Sequence, residues 1–180
     1  MLLTAAVALL CLAGATLPVV AVLASALAER TRARRVLVRH AVVTLAIALA
    51  GVGAAVLASQ LPPTLIGLVG LFPLLRGLRR VAGRSLVPDV AGAVEPAGLA
   101  AAATDGVVAY LALVVTRAAP EILVTVTALL VVALAAVLAA RALVGRPRLR
   151  HADVVAGWTQ VALGSYLLID GGALSMLRPF

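Results

Sequence analysis

Long apolar runs recur along this chain, and they constrain its fold more than any other feature. Hydrophobic residues make up 64% of the sequence and charged residues only 12%, far from the values of about 45–50% and about 25% that soluble domains show. A run of about 20 apolar residues crosses a bilayer as a helix, because a helix satisfies its own backbone groups in lipid. The sequence therefore predicts an all-α integral membrane protein. Its six predicted transmembrane helices cover residues 2–28, 41–58, 64–78, 97–116, 122–140 and 154–169.

The arginines between these runs predict the orientation of the chain. Of the 15 basic residues, 13 lie in clusters at residues 30–39, 76–84 and 141–150. Cytoplasmic loops are enriched in basic residues, so the clusters are assigned to the inner side and both termini to the outside. Arg76, Arg79 and Arg80 are thus interpreted as topology determinants. Because the clusters account for the net charge of +8, nucleic acid is not predicted as a partner.

Asp105 is the acidic residue that hydropathy places closest to the centre of the membrane. It lies about nine residues into its run, which is roughly 13 Å into a hydrocarbon core about 30 Å thick. A carboxylate at that depth costs on the order of 2.5–3.5 kcal/mol on insertion scales, so it is a functional-site hypothesis by default. Two interpretations stay open. Asp105 binds a cation or carries a proton, or it is a protonated or hydrogen-bonded residue of helix packing.

An internal repeat relates the two halves of the chain. Residues 15–20 read Ala-Thr-Leu-Pro-Val-Val and residues 103–108 read Ala-Thr-Asp-Gly-Val-Val, identical at four of six positions. A second match joins Gly-x5-Arg-Gly at residues 70–77 with Gly-x5-Asp-Gly at residues 164–171. Because each half has three predicted spans, an odd number, the repeats insert upside down relative to each other, as in many secondary transporters.

This arrangement predicts one transmembrane domain over residues 1–180. It has a first three-helix repeat at 1–80, a cytoplasmic linker at 81–96 and a second three-helix repeat at 97–180. Substrate sites in such folds lie near the midplane, where interrupted helices of the two halves meet. The predicted helix breaks that line the site are Pro18 and Gly106.

Three motifs resemble those of the bacterial cadmium-resistance transporters of the lysine-exporter superfamily. The first is Gly-Leu-Val-Gly-Leu-Phe-Pro at residues 67–73, and the second is Asp105 with an aromatic residue, Tyr110, five positions later. The third is Ala-Leu-Gly-x-Tyr-x-Leu-Ile-Asp-Gly at residues 162–171. The chain departs from the family at Leu17, where the family has an acidic residue, and at Gly106, where it has asparagine. The internal repeat also pairs Leu17 with Asp105.

The resemblance implies a secondary transporter that exports a divalent heavy-metal cation, cadmium most prominently, and is coupled to an ion or proton gradient. It implies the bacterial cytoplasmic (inner) membrane and no cofactor. The expected partners are a metal cation or small cationic substrate and the lipid bilayer, and a homo-oligomer is compatible with the sequence. Asp105 is the expected metal ligand. The expected substrate and ion site consists of Asp105, Thr104, Thr16 and Tyr110.

Two other functions stay open at this stage. One is export of a small organic cation or an amino acid, as elsewhere in the superfamily. The other is a non-transporting membrane scaffold or accessory subunit, since the carboxylate expected at Leu17 is missing. An enzyme is not predicted, because the sequence has no nucleophile and base pair, no metal-ligand spacing and no phosphate-binding loop.

Overall fold

The chain is described by a computed structural model that covers residues 2–28, 33–83, 96–116, 118–144 and 152–170. These residues form α-helices, one 3-10 helix and short turns, without a β-strand, so the all-helical prediction is confirmed for this part of the chain. The predicted linker lies mostly outside it, at residues 84–95. The helices are α1 (Leu2–Ala28), α2 (Ala33–Ala58), α3 (Pro63–Gly67), α4 (Leu71–Val81), α5 (Pro96–Val115), α6 (Ala119–Ala142) and α7 (Ala152–Asp170).

Three helices have the length and apolar composition of membrane spans. They are α1 from Thr4 to Ala28, all of α2, and α6 from Pro120 to Ala142. Shorter apolar helical segments cover Ala103–Val115 of α5 and Val154–Asp170 of α7. Large apolar side chains also point outward along α2 and α6, as expected for surfaces that contact lipid instead of water. The protein is a helical membrane protein by these criteria.

The second helix begins earlier than the sequence predicted. Arg34, Arg35 and Arg39 were expected in a solvated loop, but they lie in the first two turns of α2, followed by His40. Arginine is a good helix former, and its long side chain can extend from a helix end to the membrane surface. The basic cluster therefore continues the helix instead of interrupting it.

The third apolar run is not one continuous α-helix. A single 3-10 turn, Leu68–Gly70, separates α3 from α4. Pro73 has no N–H, so it cannot complete the hydrogen bond that an α-helix would make to the carbonyl of Val69. The helix ends at Val81, where Gly83 adopts a left-handed φ of 74°.

The predicted helix breaks at Pro18 and Gly106 are wrong. The helix α1 runs without interruption from Leu2 to Ala28 with Pro18 inside it, and α5 runs through Gly106. Proline removes one hydrogen bond of the ladder, and glycine accepts helical dihedrals. In lipid, the helical conformation satisfies the other backbone groups, so the helices continue past both residues.

Helix α1 lies at the centre of the bundle and packs against α5, α6 and α7. It is parallel to α6, because the Thr4 hydroxyl donates to Oε1 of Glu121 at 3.0 Å near one end, while Ala26 and Ala140 share a cluster near the other. It is antiparallel to α5. The core consists mainly of alanine, valine and leucine, and small residues allow the helices to approach closely.

Candidate functional site

Glycines bring α4 and α7 into close antiparallel contact. A β-carbon added at Gly70 would lie 2.8 Å from the carbonyl oxygen of Gly164, and one added at Gly77 would lie 2.6 Å from the carbonyl oxygen of Gly157. Gly70 ends the 3-10 turn seven residues before Gly77 of α4, and Gly157 lies seven residues before Gly164 in α7, so the two glycines of each pair lie on one face. This backbone contact fixes the position of α4 along the axis of α7, and thus the position of its arginines.

A second close crossing joins α1 and α5. A β-carbon added at Gly106 would lie 3.5 Å from Cγ2 of Thr16. The Thr16 hydroxyl donates to the carbonyl of Ala13 in its own helix at 3.0 Å, so its methyl group is the part that approaches α5. The structure therefore brings together Thr16 and Gly106, two residues of the predicted site.

Asp105 lies fully buried where α4, α5 and α7 meet. Nε of Arg76 donates to its Oδ1 at 2.6 Å. Nη1 of Arg80 forms an ion pair with its Oδ2. The Arg80 side chain is 6% exposed and the Arg76 side chain 24% exposed, so both charges approach the carboxylate from inside the protein. We refer to Asp105, Arg76 and Arg80 as the Asp105 cluster.

Arg76 and Arg80 pair with Asp105, which their interpretation as topology determinants did not include. Arg76 and Arg80 are four residues apart near the end of α4, and that spacing places them on one helix face. Arg79 lies between them and is exposed. Arg79 is the exposed one of the three, and the role of all three in setting the topology stays a prediction.

The Asp105 cluster has a positive formal charge. It contains one carboxylate and two guanidinium groups, and a guanidinium group stays protonated in proteins. Buried charges are costly unless they are paired, so the ionised form of Asp105 offsets part of the cost of burying Arg80. The excess positive charge disfavours a further cation in this conformation and favours an anionic group.

Gln160 of α7 provides an amide beside the cluster. Its side chain is fully buried, and Nε2 donates to the backbone carbonyl of Asp105 over a long distance of 3.5 Å. Oε1 has no hydrogen-bond partner among the described residues. The interior therefore contains an acceptor that is not used within the described part of the chain.

The structure places Thr104 next to Asp105 but turns Tyr110 away from it. Thr104 directly precedes Asp105 and is partly buried. Tyr110 is not brought to Asp105, because five residues advance a helix by about 140° around its axis. Its hydroxyl donates to the carbonyl of Ala48 in α2 at 3.0 Å, and its ring packs against Gly51. Tyr110 joins α5 to α2.

Arg76, Arg80 and Gln160 are residues that sequence reasoning missed. Arginines near the end of an apolar run are usually surface residues, and hydropathy alone gives no reason to place them inside. The i, i+4 spacing of Arg76 and Arg80 was one available signal. The other was an amide, Gln160, within an apolar run, since polar groups in membrane helices usually face the bundle interior.

The predicted metal ligand, Asp105, has both carboxylate oxygens directed at guanidinium groups. A metal ion could reach it only after the arginines withdraw. Among the described residues, no group of three or more His, Cys, Asp or Glu side chains could hold a metal. The Asp105 cluster in this conformation therefore suits an anionic group better than a divalent cation.

Comparison with known proteins gives no family for the chain. No protein-family model, curated protein or solved structure matches it. Function is therefore inferred from the position, burial and charge of the Asp105 cluster.

Proposed function

We propose that the protein is a secondary membrane transporter whose substrate site is the Asp105 cluster. One observation carries the proposal: Asp105 is fully buried and ion-paired at about mid-length of an apolar helix. Charged residues inside membrane helices are costly, face the bundle interior and mark substrate or proton pathways. Structural packing alone could use apolar residues at the same three positions without this cost.

Exchange of partners at the two guanidinium groups is the proposed mechanism. A substrate carboxylate binds Arg76 and Arg80 in place of Asp105, so both arginines keep a charge-assisted hydrogen bond. An unpaired charge inside the protein is costly, so the released Asp105 takes up a proton in the proposed exchange. Substrate binding is thereby coupled to uptake of a proton by Asp105.

The helix contacts support an architecture of six spans in two inverted repeats. The internal repeat aligns Gly70 with Gly164, and these two glycines are in contact between α4 and α7. It also aligns the segments that contain Thr16 and Gly106, which meet between α1 and α5. Equivalent positions meet in this way when they lie close to a pseudo-two-fold axis. With the arginine clusters inside, this architecture puts both termini outside the bacterial cytoplasmic membrane.

The charge of the site favours a solute with a carboxylate, such as an amino acid. Two guanidinium groups at one site bind carboxylates well, since their planar donors match the two oxygens. Of the substrate classes considered from the sequence, the amino acid has such a group. The family resemblance implies export. Because substrate and proton bind together in the proposed exchange, export would carry a proton out of the cell with each substrate molecule.

A divalent metal cation, with cadmium the first to be tested, is the second candidate. The observation that favours it is the position of the Gln160 side chain, whose Nε2 lies 3.5 Å from the backbone carbonyl of Asp105 and whose Oε1 has no partner among the described residues. That oxygen and the Asp105 carboxylate could both turn to a cation. Arg76 and Arg80 would have to withdraw from the site first, because their charges oppose that of the metal.

Flux in proteoliposomes tests the proposal. The purified protein is reconstituted, and fluxes of radiolabelled L-amino acids and of cadmium and zinc are measured with and without a proton gradient. Asp105→Asn is the test variant, and Asp170→Asn, at an exposed acid near the end of α7, is its matched control. We expect amino-acid flux that depends on the gradient, is lost in Asp105→Asn and is kept in Asp170→Asn.

Each other outcome has a defined meaning. Metal flux without amino-acid flux would favour the second candidate. Equal flux through the wild type and Asp105→Asn would remove Asp105 from the mechanism. Absence of flux for the whole panel in correctly folded protein would contradict transport and favour the scaffold or accessory role.

A further inference from the structure

The geometry points to Gln160 as the residue that recognises the amino group of the substrate. The inference rests on the proposed function, in which a substrate carboxylate binds Arg76 and Arg80. It adds a second contact on another helix: Oε1 of Gln160 accepts a hydrogen bond from the substrate ammonium group. Substrates that lack this donor are then discriminated against at Gln160.

The unused acceptor is the first support. Gln160 is fully buried, and its Oε1 has no partner within the described part of the chain. A buried acceptor without a partner is destabilising, and native proteins contain few of them. Nε2 is directed at the backbone carbonyl of Asp105, so Oε1 is the free end of a side chain anchored beside the site. A hydrogen-bond donor on a ligand would give Oε1 a partner.

The position of Gln160 relative to the arginines is the second support. A β-carbon added at Gly157 would lie 3.3 Å from Cβ of Arg80, so this turn of α7 lies against the turn of α4 that carries the ion pair. Gln160 is one turn further along α7. The close glycine contact thus places the amide of Gln160 and the guanidinium groups of Arg76 and Arg80 around the buried residue Asp105.

This combination of groups suits a zwitterion. An amide oxygen accepts hydrogen bonds and cannot donate one, so it favours an ammonium group over a carboxylate. The guanidinium groups only donate, and they favour the carboxylate. A ligand with both groups on one carbon therefore satisfies Gln160 and the arginines together. A simple carboxylic acid leaves Oε1 unpaired.

The experiment compares matched ligand pairs on matched variants. Binding to detergent-solubilised full-length protein is measured for L-alanine and propionate, L-glutamate and glutarate, and L-lysine and 6-aminohexanoate. The test variant is Gln160→Leu, which keeps the approximate volume and removes the acceptor. The control is Gln60→Leu, at an exposed glutamine in the turn after α2. Thermal unfolding of each variant is recorded in parallel.

We expect the wild type to prefer the amino acid of at least one pair by about tenfold or more, since a hydrogen bond to a charged group has that effect. Gln160→Leu should lose this preference while it binds the deaminated acid with unchanged affinity. Gln60→Leu should behave as wild type. Gln160→Leu should also unfold at the same or a higher temperature, because it removes an acceptor that has no partner in the described part of the chain and only one long hydrogen bond, of 3.5 Å, from Nε2.

Failure of this inference is distinguishable from failure of the proposed function. If Gln160→Leu keeps the preference, or weakens both members of each pair equally, Gln160 does not recognise the amino group although the site binds carboxylates. A clear loss of thermal stability in Gln160→Leu would likewise assign it to packing. If the wild type binds none of the six compounds, the proposed amino-acid site and this inference are both overturned.

Discussion

The carboxylate of Asp105 is tolerated inside a membrane helix because the guanidinium groups of Arg76 and Arg80 pair with it. The contributions of the two arginines differ with burial. Arg80 is almost wholly buried and its charge has little access to water, whereas about a quarter of the Arg76 side chain is exposed. Removal of one member of a buried ion pair leaves the other charge uncompensated and destabilises a protein more than replacement of both. Substitution of Arg80 should therefore lower the free energy of unfolding more than substitution of Arg76.

Substitution of Arg80 tests this difference. We expect Arg80→Gln to lower the free energy of unfolding by about 3 kcal/mol, because Asp105 loses its most buried partner. Arg79→Gln, one position earlier on the exposed face of the same helix, should change it by less than about 0.5 kcal/mol. The measurement is unfolding in mixed micelles followed by circular dichroism. Similar losses for both variants would contradict the assigned burial.

A second residue-level prediction concerns Tyr110. Tyr110→Phe removes the hydrogen bond to the Ala48 carbonyl and should lower the free energy of unfolding by about 0.6–1 kcal/mol, the usual effect of such a bond between membrane helices. Transport should be kept, because the hydroxyl contacts α2 and not the Asp105 cluster. Loss of flux in a variant of near-normal stability would restore Tyr110 to the substrate site.

The helices α4 and α7 form the part of the fold that carries most of the site. The helix α4 has only 11 residues and cannot cross a bilayer alone, so its position depends on α7. Glycine allows the two backbones to approach, and the resulting close packing replaces the hydrophobic driving force that is missing between helices in lipid. The arginines of α4 and the amide of α7 meet because of this contact.

One prediction at this scale uses two glycines in different environments. A β-carbon at Gly164 would lie 2.5 Å from the backbone nitrogen of Leu74 and 2.6 Å from the carbonyl oxygen of Gly70. Because backbone atoms cannot move aside easily, Gly164→Ala should lower the free energy of unfolding by about 1–3 kcal/mol and reduce transport.

The matched control is Gly53→Ala in α2, where a β-carbon meets no atom within 4 Å. Alanine has the higher helix propensity, so this variant should be unchanged or more stable by up to about 1 kcal/mol. Both variants are compared by the same unfolding assay. An equal loss at Gly53 would mean that its open face is covered in the membrane.

At the scale of the whole molecule, helix directions assign each turn to one end of the bundle. The helix α6 is parallel to α1. The helix α2 is antiparallel to α6, because Val36 near its start shares a cluster with Ala140 near the end of α6, while Ala55 near its end shares a cluster with Ala128. Residues Gln60 and Ala118 therefore lie at one end of the bundle. Val144 lies at the other, and the proposed topology puts Ala82 with it.

Cysteine labelling tests the proposed topology. Single cysteines at Gln60, Ala118, Ala82 and Val144 are introduced in a Cys11→Ala background, since Cys11 is the only native cysteine. In intact cells, a membrane-impermeant maleimide should label the first two positions. The last two should react only after permeabilisation, because the arginine clusters keep their end in the cytoplasm. Labelling of Ala82 or Val144 in intact cells would contradict this orientation.

The sequence predicted the helices better than the site. Helix α1 was predicted at its observed limits, and α5, α6 and α7 within a few residues, because hydropathy is a local property that needs no knowledge of neighbours. Asp105 was also identified from its own run. Tyr110 was assigned to the site from its place in a motif, and the geometry of the helix turns it towards α2 instead.

What the sequence determined by itself is therefore membrane insertion, helical structure and the position of one costly charge. Each follows from the free energy of transferring a segment from water to lipid, which is summed along that segment. Only the tertiary structure decided which residues neutralise Asp105. Arg79 and Arg80 are adjacent in the chain, but the face of α4 that contacts α7 buries Arg80 and leaves Arg79 outside. Which of the two arginines is buried depends on packing between helices distant in sequence, and this information is absent from the local sequence pattern.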